Sequence, residues 1–181
     1  TLLEISRNYG LRIEDFYYST LRSYQEMQEN YFQEIEGAVD EFVVTHQLGT
    51  EYPVSAAVLI SILEGKYEYQ LFEDGLSAQP EIENLRAVLL PGKPSRLLLN
   101  KNLSEIQKAF IIARELGFQF MNIHERSNTS PPVQVDSFEQ VLNNFKGSYF
   151  ACALFLNKDL VVPRMTTFFT NRTFEGNQLF A

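Results

Sequence analysis

The run AFIIARELGFQF, Ala109 to Phe120, holds an acid where a hydrolytic helix would carry its general base. A zinc-dependent hydrolase spaces two histidines around a glutamate as H-E-x-x-H, so that both imidazoles meet one ion from a single helix face. Here the five positions are Arg114, Glu115, Leu116, Gly117 and Phe118. The glutamate stands, while a guanidinium and a phenyl ring take the two ligand positions. Zinc needs about three ligands from His, Cys, Asp or Glu. The two histidines, His46 and His124, lie far apart and have no ligand-spaced partner. His124 beside Glu125 reads as a surface pair at a helix end. No metal and no cofactor is expected.

Without a metal, Glu115 has nothing to lower the pKa of its water, and hydrolysis loses its main source of rate. Its simplest duty is to pair with a nearby cation. Ser55, Ser104 and Ser137 read as turn or capping residues, and no G-x-S-x-G or P-loop run exists. The sequence is not expected to be an enzyme.

The elements around this helix are legible in outline. From Ile13 to about Leu48 there is no proline and one glycine. Tyr17, Leu21, Tyr24, Gln28, Tyr31, Ile35, Ala38 and Phe42 recur at spacings of four and three, close to a heptad seam. This predicts one long helix that packs on its own domain or pairs with a second copy. LGTEYPVSAAVLISILEGK reads as a turn and a helix, with Pro53 in its first turn and Gly65 just past its end. KYEYQLFED alternates as a half-exposed strand does. RAVLLPGKPSRLLLN is a hairpin around Pro-Gly-Lys-Pro.

Ser104, three residues before Gln107, starts the next helix, with an apolar stripe of Ile106, Ala109, Phe110, Ala113, Gly117, Phe120 and Met121. HERSNTSPPVQ is a polar loop. Ser137 and Gln140 repeat the capping spacing before a helix whose stripe is Phe138, Leu142, Phe145, Tyr149 and Cys152, with Cys152 a small core residue. The fold class is α+β: a long N-terminal helix and further helices around a small, mostly antiparallel sheet. Residues 1–48 form the linker or dimerisation helix, and 49–181 a sensory domain truncated at its C-terminal end.

Composition bounds the partners. The chain has 181 residues, 45% hydrophobic and 13% aromatic, enough to fill a core. Fifteen basic against 23 acidic side chains give a formal charge of −8, which disfavours direct contact with nucleic acid or a membrane surface. The single Cys152 excludes an internal disulfide and fits a reducing, cytoplasmic compartment. No apolar run approaches the roughly 18–20 residues of a membrane span. The chain opens at Thr1 without a methionine and ends in mid-pattern at NQLFA, and it is read as a piece of a longer protein.

From about Arg86 to Pro163 the order of elements and residues resembles the ImmA/IrrE family of metallopeptidase-like domains. The family's strand ending in asparagine, its L-S approach and its A-H-E-L-G-H helix are matched by LLLNKNLSEIQKAFIIARELGF. Its later helix, with an acidic ligand ahead of F-A-x-x-L-L-M-P, is matched by NNFKGSYFACALFLNKDLVVP, where Asn144 and Lys146 stand at the candidate acid positions. All three expected metal ligands are therefore replaced.

The resemblance gives Arg114 a permanent cation where a metal ion would sit. A partly buried guanidinium needs an acceptor. Two readings stay open: an internal pair with a carboxylate such as Asp136, or an anion pocket. In the pocket reading Arg114 and Lys146 hold a carboxylate, phosphate or thioester-linked group, with Phe118, Phe120 and Glu115 around it. Degenerate domains of this kind resemble the C-terminal part of Xre-type bacterial regulators, including the short-chain fatty acyl-CoA-responsive lineage. That implies a homodimer, an anionic effector, and DNA contact only through an N-terminal region outside this chain.

Overall fold

The computed structural model describes residues 12–49, 53–77, 80–82 and 84–170. In chain order its elements are α1 (Ile13–Met27), α2 (Gln33–Thr45), α3 (Ala56–Tyr67), β1 (Tyr69–Phe72), a 3-10 turn (Pro80–Ile82), β2 (Ala87–Leu90), β3 (Ser95–Leu99), α4 (Glu105–Phe120), β4 (Thr129–Ser130), α5 (Phe138–Phe155) and α6 (Lys158–Thr170). The fold is α+β.

Caps fix where the long helices begin. The Ser104 hydroxyl accepts from the Gln107 amide at 3.3 Å, and the Gln107 side chain accepts from the Ser104 amide at 3.0 Å, a closed capping box at the head of α4. The Ser137 hydroxyl accepts from the Gln140 amide at 3.1 Å to open α5. Ser55 caps α3 in the same way, so Pro53 lies ahead of that helix rather than inside it. Gly65 lies within the last turn of α3, and Glu68 takes the left-handed closing position with φ 57°.

The expected hairpin forms, with β2 and β3 antiparallel and Ala87 opposite Leu99. The sheet order is β1-β3-β2-β4. The sheet is mostly antiparallel, as expected: β4 pairs antiparallel with β2 from inside the polar loop, and β1 joins β3 in parallel. Ala87, Leu89, Leu97 and Leu99 are buried and turn one face of the sheet toward α4. α4 is therefore enclosed by sheet and helices and buries Ile111, Ile112, Ala113, Leu116, Gly117 and Phe118, more than a single stripe. Ile106, expected on that stripe, is 79% exposed.

The single long helix over 13–48 is corrected to two. A turn at Gln28–Tyr31 separates α1 from α2, and Glu29 and Asn30 both adopt positive φ, 52° and 57°. Left-handed residues cannot continue a right-handed helix. The break lets Phe32 enter the core beside Tyr24, Phe145 and Tyr149, with ring centroids 4.9–5.6 Å apart. Ile35 and Phe42 of the proposed seam are consumed in the chain's own core. Tyr31 is exposed.

On α5 the buried face is Asn143, Gly147, Phe150, Ala151 and Leu154. The expected stripe lies nearly half a turn away, on the opposite face, where Phe145 and Tyr149 meet Phe32 part-buried. Cys152 falls at the outer edge of that stripe and is exposed, not a core residue.

α4 and α5 touch through glycines. A Cβ on Gly147 would meet the Phe118 ring at 2.3 Å, and one on Gly117 would meet the Phe150 ring at 2.7 Å. Each ring thus occupies the space that the facing glycine leaves. Phe118 is 1% exposed.

Candidate functional site

Glu115 lies in the middle of α4, facing the inner side of β1. There the Tyr69 hydroxyl donates to Glu115 Oε1 at 2.7 Å. From the loop that follows α4, Arg126 closes a two-pronged pair: Nη1 donates to Oε2 at 3.0 Å and Nη2 donates to Oε1. Both side chains of this pair are only 6% exposed. Gln119, one turn beyond Glu115, donates to the Tyr69 oxygen at 2.6 Å. Burial, followed by the neighbouring Glu115 charge, pushes the Tyr69 hydroxyl well above its usual range. Tyr69 therefore acts as a neutral donor. With both carboxylate oxygens committed, Glu115 has the role of ion-pair partner expected for it.

Arg114, the preceding residue of the same helix, reaches toward β4 and α5. Its Nη1 donates to Ser130 Oγ at 3.1 Å and its Nη2 to Asn144 Oδ1 at 3.4 Å. Both acceptors are neutral. Asp136 does not pair with it and instead accepts from Gln134. Burial lowers the pKa of the guanidinium; the Glu115 charge opposes that shift and the Arg126 charge adds to it. The Phe118 ring takes both cations, with the Arg126 guanidinium carbon 4.3 Å and the Arg114 carbon 5.3 Å from its centroid.

The structure brings Arg114, Glu115 and Phe118 together. Lys146 does not join them. Asn144 faces Arg114, and two helix positions are about 200° apart around the axis, which turns Lys146 away. Phe120 sits in a separate aromatic group with Phe42, Phe150 and His46. His124 is exposed and bonds to Asn122, while Glu125 accepts from Ser137. Among the described residues no three His, Cys, Asp or Glu side chains converge.

Four participants were not named from the sequence: Arg126, Tyr69, Gln119 and Ser130. A buried glutamate in mid-helix demands a cation, but Arg126 lies eleven positions on in a loop, beyond any helical spacing. Ser130 reaches the site because β4 folds the polar loop onto β2.

A cavity of about 20 Å³ lies where α4 meets the sheet, walled by Ala87, Leu89, Arg114, Glu115, Arg126 and the 127–130 segment. Larger hollows lie elsewhere. One of about 210 Å³ separates α2 from the α5–α6 junction, where Lys158 is already paired with Asp40. Another, of about 380 Å³, lies between the end of α2 and the start of α3, beside His46, Leu48 and Ile62.

No family model matches the sequence, and no curated protein does. The fold is similar to that of a Mycobacterium tuberculosis transcriptional regulator. The two share 16% identity with a TM-score of 0.57, over 76% of this chain and 40% of the regulator. The chain thus spans about two-fifths of the length of that protein. At this identity the likeness is one of fold. None of the described helices is long and apolar enough to cross a membrane.

Proposed function

We propose that this chain is the regulatory, self-associating part of a bacterial transcriptional regulator of the cytoplasm, with its DNA-contacting part outside these residues. One observation carries the reading: its fold is shared with a transcriptional regulator over three quarters of the chain. The chain's acidity supports a reading in which DNA contact belongs to another part of the protein. The resemblance to ImmA/IrrE-type and Xre-associated domains supports the same assignment.

Catalysis is not the role the site supports. Arg114 and Phe118 occupy the histidine positions of the hydrolytic pattern, and both oxygens of Glu115 are held by Arg126 and Tyr69. The retained helix serves as scaffold. Effector sensing in this reading centres on Arg114, a cation bonded to two neutral groups. The α4–α5 interior has no room for an acyl chain, because Phe118 and Phe150 fill it against Gly147 and Gly117. That filling favours a second reading, a protein-interaction domain without any ligand.

The test uses the intact protein and the DNA upstream of its own gene. Retardation of that DNA by the intact protein, and none by this chain alone, is the expected result. An intact protein with no affinity above that for random DNA of equal length at physiological salt would sink the proposal.

A further inference from the structure

The charges around the small cavity do not balance. Two guanidiniums, Arg114 and Arg126, stand beside one carboxylate, Glu115, and Arg126 takes both of its oxygens. Arg114 is left with two neutral acceptors, one of them at 3.4 Å, so two of its five N–H groups are engaged. Glu115 is the one carboxylate whose charge reaches Arg114, and it is shared with Arg126.

Donors are also in surplus. Ser130 Oγ accepts from Arg114, and its own proton has no acceptor among the described residues. Asn144 Nδ2, on the amide that accepts from Arg114, is buried with no partner among them either. The backbone carbonyls beside the cavity each already hold one donor. The carbonyls of Asn128 and Ser130 take the Leu89 and Arg86 amides, and that of Thr129 takes the Ser127 hydroxyl.

We propose that the cavity beside Arg114 seats one halide-sized monovalent anion. Its volume of about 20 Å³ holds one water-sized body. A carboxylate or phosphate group does not fit. A halide needs no acceptor and brings the missing charge. This deepens the reading of Arg114 as an anion acceptor and rests on that part alone, not on DNA binding or self-association.

The experiment compares the wild-type chain with Arg114→Gln in potassium chloride, exchanged stepwise for potassium glutamate at constant ionic strength. Glutamate is too large for the cavity, and its general stabilising effect acts on both proteins alike. The melting temperature of the wild type, less that of the variant, should rise by roughly 3–5 °C for each tenfold increase in chloride above its Kd. Crystals of the wild type soaked in potassium bromide should show one anomalous peak next to the Arg114 guanidinium. If Arg114→Gln does not fold, Ser130→Ala, which removes one donor, should weaken the chloride response. Equal responses in wild type and variant, or a bromide crystal with only water in the cavity, overturns the site. DNA binding by the intact protein alongside such a result would leave the regulator reading standing.

Discussion

Glu115 and Arg126 form the ion pair whose two side chains are the most deeply buried among the described residues. Removing one partner of such a pair strands a charge, at a cost of about 3–5 kcal/mol, whereas removing both charges is close to neutral. Arg126→Met should therefore lower unfolding stability in urea by about 3–5 kcal/mol. Adding Glu115→Gln, which keeps an acceptor for Tyr69, should recover most of that loss. A double variant no more stable than the single one would show that the pair is not the source. His46 gives a pH signal. Burial, and then the Lys66 charge, lower its pKa below 6.5, so the unfolded chain binds its proton first as pH falls. Its contribution is present above pH 6.5 and is lost as pH drops toward the folded pKa. Replacing His46 with Gln should flatten the stability curve just below pH 6.5, and an unaltered slope would exclude His46 as its cause. The sequence made half of this site legible. Glu115 announced itself as an acid in want of a cation, but the loop cation, the strand tyrosine and the neutral acceptors of Arg114 are set by long-range folding.

At the scale of elements, legibility followed local chemistry. Ser104, Ser137 and the Pro-Gly-Lys-Pro loop carry their own hydrogen-bonding and dihedral preferences, and the helices and hairpin they bound appear as expected. The break at residues 28–32 contains neither glycine nor proline, so nothing local announced it. It exists because Phe32 gains an aromatic pocket far along the chain. The two-residue β4 is likewise created by its partner strand. The α4–α5 contact allows a sharp test. Alanine normally favours a helix over glycine by about 1 kcal/mol. At Gly147 the added methyl would lie 2.3 Å from the ring of Phe118, which is walled in and cannot swing aside. Gly147→Ala should then destabilise by about 1–3 kcal/mol despite its propensity. Phe118→Leu in the same chain should return part of that stability. A stabilising Gly147→Ala would show that the helices slide apart freely.

For the whole molecule, the question is which surface a second copy would cover. The heptad-like seam is unsuited, since Ile35 and Phe42 lie in the core and Tyr24 packs on Phe32. α6 differs from every other helix but α1 in burying no residue, and it presents Leu160, Val162 and Phe169 at 51–70% exposure. Covering apolar area is worth roughly 25 cal/mol per Å². The opposing term is the chain's charge of −8, a long-range repulsion between copies that salt screens within about 10 Å at 0.1 M. Self-association should therefore tighten as sodium chloride rises from low to moderate concentration, opposite to an ion-paired interface. Sedimentation equilibrium of Val162→Glu with Phe169→Glu should give monomers at every salt concentration. Tyr24→Glu should instead lower the melting temperature, because its ring supports Phe32 from within the chain. An unchanged mass for the α6 variant, with dimers persisting, would move the interface to another face.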